Sequence, residues 1–101
     1  MARPARIDME AFARWHHDHA EWARVENGGV EALEKRFTFP DFATALAFVV
    51  RVGMAAEKRD HHPDIAMGWG KATVLWTTHD AGGITELDLA LAEESDRIRS
   101  T

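Results

Sequence analysis

Three histidines stand where imidazole chemistry could be concentrated: His61 and His62, adjacent and followed by Pro63, and His79, which follows Thr78. Imidazole is the one side chain whose unperturbed pKa, about 6.5, lets it take up and return protons near neutral pH. Several of them around one loop therefore point to general acid–base catalysis. Two acidic residues accompany them. Glu57 lies one helical turn before His61, so on a helix its carboxylate is placed to orient that ring. Asp88 follows His79 beyond a Gly82-Gly83 turn, and with Thr85 it forms the Thr-x-x-acid pattern of a helix start, so a capping role is equally open to it. Neighbouring residues in extended backbone point to opposite sides, so His61 and His62 are not expected to share one job unless the chain turns between them.

Taken in register, these residues resemble the pterin-4a-carbinolamine dehydratases, the family also known as the dimerisation cofactor of the homeodomain protein. The matching elements are Glu57, His61-His62-Pro63, Trp69, Thr78-His79 and Ile84-Thr85-Glu86-Leu87-Asp88, preceded by Phe37-Thr38-Phe39-Pro40-Asp41-Phe42 and by Trp22. The resemblance implies dehydration of a 4a-hydroxytetrahydropterin to a quinonoid dihydropterin plus water, in recycling of the tetrahydropterin used by aromatic amino acid hydroxylases. The pterin is the substrate, and neither a cofactor nor a metal is implied. The reaction removes the N5 proton and expels the 4a hydroxyl, which leaves poorly unless protonated, so one acid and one base are needed. His61, His62 and His79 are the implied catalytic set: His62 and His79 as the proton-transfer pair, His61 binding the pterin and stabilising the departing hydroxyl, with the assignment among them open. The implied substrate contacts are Glu57, His61, His62, Pro63, Thr78, His79, Asp80, Ala81 and Asp88, with Thr78, Asp80 and Ala81 offering backbone or hydroxyl groups. Trp22 suits either an aromatic wall or the core. Met67, Gly70, Leu75 and Trp76 depart from the family's commoner residues, which bears on substrate fit more than on chemistry. The competing reading is a non-catalytic interaction or assembly module on the same fold; the complete histidine set favours the enzyme.

Composition narrows the field further. A chain of 101 residues is expected to form one domain with a modest core, so a homodimer or homotetramer is expected. There is no cysteine, which excludes disulfides, thiolate metal sites and thiol redox chemistry. A net charge of −5 argues against a nucleic-acid partner. No apolar run is long enough to span a membrane, and Met1–Arg6 is not followed by the apolar stretch of a signal peptide, so a cytoplasmic location is expected. A second histidine group, His16, His17 and His19, is read as a solvated helix end rather than a metal site.

The elements that must position these groups are legible as periodicities. Asp8 is placed to cap a helix over residues 8–19. Two strand-like runs, residues 22–26 and 30–39, flank Asn27-Gly28-Gly29 as a hairpin, with Leu33, Phe37 and Phe39 toward the core. Pro40-Asp41 opens a long helix to Arg59 whose stripe of Phe42, Ala45, Leu46, Val49, Gly53 and Ala56 is widened by Phe48, Val50, Val52 and Met54. Phe48, Val52 or their neighbours are expected to remain exposed and to feed an interface. Pro63 disfavours helical geometry at His62, which sets both histidines at a helix end. Two short strands follow, the second carrying Ala72, Val74 and Trp76 on one face. A last helix starts at Thr85, with Ile84 placed to staple against Leu89. The order α-β-β-α-β-β-α predicts an α+β fold, a four-stranded antiparallel sheet with three helices on one face. The opposite face is expected to form one wall of the binding site.

Overall fold

The computed structural model describes residues 5–101; Met1–Pro4, part of the stretch read for a leader, lie outside the described residues. Helix α1 spans Met9–Asp18, strands β1 and β2 span Ala23–Asn27 and Val30–Thr38, and helix α2 spans Phe42–Lys58. Strands β3 (Asp64–Gly68) and β4 (Lys71–Trp76) follow, then a 3-10 turn at His79–Ala81 and helix α3 at Glu86–Arg99. The four strands form one antiparallel sheet in the order β1-β2-β4-β3. The expected order of elements and fold class are those observed.

Helix starts follow from side chains that satisfy the otherwise unpaired amides of a first turn. Asp8 accepts from the Ala11 amide and Asp41 from the Thr44 amide, each at 2.8 Å. Those bonds hold the Asp41 carboxyl below the usual carboxylate range. Gly28 and Gly29 both take positive φ in the β1–β2 turn, which a side chain would resist.

Cross-strand register puts Leu33, Phe37, Ala72, Val74 and Trp76 on one face of the sheet, because Leu33 pairs with Trp76 and Phe37 with Ala72. These residues share a core with Phe12, Trp22, Phe48, Val52, Ile84, Leu89 and Leu91. Trp22 is thus a core residue rather than a site wall, and its indole N–H donates to Asp96 at 3.0 Å. Lys35 lies on the same face and reaches Asp96 at 2.7 Å and Glu21 at 2.9 Å. Burial works against its charge, but the bonds to the two carboxylates outweigh it and raise the ammonium above its ordinary value of 10.5. Its contribution to stability is therefore intact at neutral pH and is lost only as pH rises through that raised value.

Helix α2 is rotated from the stripe expected for it. The structure buries Ala45, Phe48, Val52 and Ala56, with Phe48 and Val52 at most 1% exposed, so neither is available to an interface. The aromatic ring of Phe48 sets the rotation: its centroid lies 4.6 Å from that of Phe37 and 5.1 Å from that of Phe39. Turning Phe48 inward turns Phe42, Leu46, Val50 and Met54 outward. These four, spaced at i+4, are 43% to 62% exposed.

The second histidine group is structural rather than solvated as expected. The His16 ring donates to the Trp22 carbonyl at 2.8 Å and stacks on Phe12; the His19 ring donates to the Trp15 carbonyl at 2.7 Å and stacks on Trp15. Only His17 of the three is exposed. Among the described residues, no three histidine, aspartate or glutamate side chains converge as a metal-binding group would require.

Candidate active site

The way α2 ends determines where its two histidines begin. Arg59 caps the helix and Asp60 takes a left-handed conformation, φ 49°, which aspartate tolerates better than most residues. The Asp60 amide then donates to the Glu57 carbonyl at 3.1 Å, and the His61 amide reaches back to the Ala56 carbonyl at 3.2 Å. This pair of bonds closes the helix and reverses the chain. Pro63 follows immediately, and β3 begins at Asp64.

His61 and His62 diverge, as extended neighbours should, but onto partners other than the one expected. The Nε2–H of His61 donates to Asp88 Oδ1 at 2.7 Å, across to the start of α3. The Nε2–H of His62 donates to Glu57 Oε1 at 2.7 Å. Glu57 therefore orients His62, not His61. Spacing along α2 placed Glu57 one turn from His61, but the left-handed step at Asp60 swings His61 off that line and brings His62 onto it. The two pairs differ in burial. His62 and Glu57 are exposed, whereas Asp88 is fully buried and the His61 side chain is 14% exposed. Exposed ion pairs contribute little to stability, on the order of 0–1 kcal/mol, so the His62–Glu57 contact orients rather than holds.

Asp88 serves two purposes. Its Oδ2 accepts from the Thr85 amide at 2.8 Å, completing the cap of α3, and from the Thr78 hydroxyl at 2.7 Å. Its Oδ1 takes the His61 ring. Behind that ring lies Trp76, nearly parallel at 11° with centroids 6.0 Å apart, its indole N–H tied to Ser95 Oγ at 3.1 Å. Trp76, one of the departures from family usage, is thus core on one side and a backing for His61 on the other. Because Trp76 belongs to the helix-covered face, His61 sits at the end of the sheet on the helix side. The open face of the sheet, expected to form one wall of the site, does not carry this ring.

His79 opens the 3-10 turn that leaves β4, and Gly82 closes the turn with φ 75°. The Thr78 and Gly83 backbones pair across it, at 3.0 Å and 3.3 Å. The His79 ring is exposed and makes no hydrogen bond among the described residues. The Thr78 hydroxyl, read as a possible ligand contact, is instead buried and directed at Asp88 and Thr85. Asp80 is exposed and Ala81 half-buried in the same turn. Sequence reasoning named Thr85 only as a helix start and missed Asp60. The signal for Thr85 was the same Thr-x-x-Asp phrase that identified the cap, and for Asp60 it was an aspartate at the end of a helix.

The arrangement is a small α+β domain in which a buried carboxylate at a helix start orients one imidazole, and two exposed imidazoles stand on neighbouring loops. The chain belongs to the pterin 4 alpha carbinolamine dehydratase family, whose model matches residues 5–98. A relative from Rhizorhabdus wittichii, provisionally named a pterin-4-alpha-carbinolamine dehydratase, is 42% identical over 90 residues, 89% of this chain and 84% of that protein. A similarly named relative from Bradyrhizobium is 44% identical over 93 residues, 92% and 91% of the two chains. Among solved structures, a transcriptional coactivator/pterin dehydratase from Brucella melitensis superposes with a TM-score of 0.84 at 32% identity, covering 93% of this chain and 98% of that one. A pterin dehydratase-like protein described as a RuBisCO assembly factor in the alpha-carboxysome shares the fold, with a TM-score of 0.68 at 24% identity, covering 84% and 96%.

Proposed function

We propose that this protein dehydrates 4a-hydroxytetrahydropterins by histidine acid–base catalysis. The observation that carries the reading is the Asp88–His61 pair. With Nε2–H committed to a buried carboxylate, the opposite nitrogen, Nδ1, keeps its lone pair while the ring is neutral. When the ring takes up a proton, the same carboxylate supports the imidazolium, as in other oriented carboxylate–histidine pairs. His61 is thereby equipped to receive a proton and to return it, which extends the binding role first given to it. His62, held by Glu57, and His79, which makes no hydrogen bond among the described residues, supply the further imidazoles that an acid and a base require. Pro63, Asp80 and Ala81 line the two loops between these rings and are proposed as substrate contacts. Membership of the family supports a pterin substrate, and a place in tetrahydropterin recycling for aromatic amino acid hydroxylation belongs to the same proposal. The decisive experiment is direct: dehydration of synthetic 4a-hydroxytetrahydropterin, followed by absorbance, with no acceleration over the uncatalysed rate overturning the reading.

No metal takes part in this scheme, so turnover is expected to survive exhaustive chelation unchanged. A loss of activity restored by added zinc would mean that the histidines act as ligands.

The exposed stripe of α2 supports a homo-oligomer, dimer or tetramer, in which copies of the chain cover Phe42, Leu46, Val50 and Met54 from water. Burial of apolar surface is worth about 25 cal/mol for each Å², so four such side chains form a substantial driving force. Leu46→Glu or Val50→Glu is expected to reduce the assembled mass by sedimentation while leaving the monomer folded. Wild-type protein that sediments as a monomer at micromolar concentration would refute the interface. Among the described residues no helix is long and apolar enough to cross a membrane.

A further inference from the structure

We propose that Thr78 and Thr85 are positioning residues: they load one oxygen of Asp88 so that the other holds His61 in its Nε2–H tautomer, with Nδ1 as the working nitrogen. The kinetic consequence rests on the dehydratase reading above; the structural consequence does not.

Counting protons leads to this assignment. The Thr85 amide is a fixed donor and lies 2.8 Å from Asp88 Oδ2. The Thr78 hydroxyl carries one proton, which it gives to the same oxygen at 2.7 Å. The Thr85 hydroxyl lies 2.9 Å from that of Thr78 and 3.3 Å from Asp88 Oδ2, and with the Thr78 proton spent on Asp88, the shorter of these contacts takes the Thr85 proton. The chain of donation therefore runs from Thr85 to Thr78 to Asp88 Oδ2, while the Thr85 amide adds a second donor to that oxygen. Oδ1 is left with a single partner, His61 Nε2 at 2.7 Å. A proton on this carboxyl would have to sit on Oδ1, where it would face Nε2 and drive the ring's own proton to Nδ1. Two donors on Oδ2 work against that arrangement by keeping Asp88 an acceptor at each of its contacts. Thr85, Asp88 and Thr78 are all buried, so water is not at hand to replace a missing donor.

Capping alone does not account for Thr78. The cap of α3 is complete with Thr85 and Asp88, whereas Thr78 arrives from the end of β4. Packing does not require the hydroxyl either, since valine has nearly the same shape. The hydroxyl serves the carboxylate, and the other oxygen of that carboxylate serves a histidine at the edge of the candidate site. The threonine just before His79 thus ties the loop of one imidazole to the tautomer of another.

The test compares wild-type protein with Thr78→Ser and Thr78→Val, reading histidine tautomers by nitrogen NMR at a pH where the rings are neutral, and turnover on 4a-hydroxytetrahydropterin. The wild-type and serine proteins are expected to show His61 protonated on Nε2. The valine protein is expected to show a mixture of tautomers, with kcat lowered roughly 10- to 100-fold, as for other lost orienting partners, and KM changed by no more than about twofold. A valine protein that keeps a pure Nε2–H tautomer and wild-type kcat would overturn the proposal. If the valine protein does not fold, the wild-type spectrum still decides: a His61 protonated on Nδ1 sinks the idea. If even the wild-type protein fails to dehydrate the pterin, the tautomers of the folded variants alone decide it, so loss of the dehydratase reading and loss of the threonine assignment are told apart.

Discussion

Replacing His62 or His79 by alanine is expected to lower turnover of 4a-hydroxytetrahydropterin roughly 10²-fold or more while the unfolding temperature barely moves. The separation of the two effects follows from burial. The His62 ring is exposed and bonds, among the described residues, to the exposed carboxylate of Glu57, and the His79 ring is exposed without a hydrogen bond among the described residues. Neither supports the core, so their removal leaves the sheet and its helices as they are. What is lost is a group able to move a proton beside the substrate, and that loss falls on kcat. Rates from absorbance, set beside thermal melts of the same samples, check both halves. Near-wild-type turnover in both variants would defeat the acid–base assignment, and a large drop in melting temperature would show that the rings are structural.

Asp88→Asn is expected to act more severely on chemistry than its nearly identical shape suggests, with kcat falling on the order of 10²–10⁴-fold, the upper figure being that of the handicapped carboxylate–histidine pair in a serine protease. An asparagine presents one acceptor oxygen and one donor NH₂. The Thr85 amide and the Thr78 hydroxyl demand the oxygen at their end, at 2.8 Å and 2.7 Å in the native protein. The NH₂ must then face His61 Nε2, which has to become an acceptor, and the ring's proton moves to Nδ1. The residue that held His61 in its working form now holds it in the other one. The opposite orientation of the amide leaves buried donors unmatched, at a cost of about 1–3 kcal/mol. Asp88→Asn should therefore fold, melt at most modestly lower, and show His61 protonated on Nδ1. A variant with native turnover would remove Asp88 from the mechanism and leave it as a cap of α3.

Much of this molecule is decided locally, and that part was open to inspection in the chain itself. Asp8 and Asp41 cap helices because their side chains reach amides three residues on, and Gly28-Gly29 turns the hairpin because glycine accepts positive φ. The alternation of Ala72, Val74 and Trp76 names the buried face of β4, and the Thr85–Asp88 phrase names the start of α3. The histidines, their proline and their acidic neighbours were visible for the same reason: spacing along the chain reports which groups share a loop or a turn. Three matters were settled only by the fold. The side of α2 that is buried depends on where Phe48 meets Phe37 and Phe39, contacts between segments far apart in sequence, and so Phe48 and Val52 are core while Leu46 and Val50 face outward. The partner of His61 depends on α3 arriving beside the end of α2, which brings Asp88 across 27 positions and leaves Glu57 to His62. The place of the site depends on the Trp76 ring, which sets His61 on the helix side of the sheet rather than on its open face. Periodicity and capping act within a few residues and are therefore written in the sequence; the rotation of a helix and the pairing of a carboxylate with an imidazole are choices among distant groups, and only simultaneous packing of the whole core selects among them.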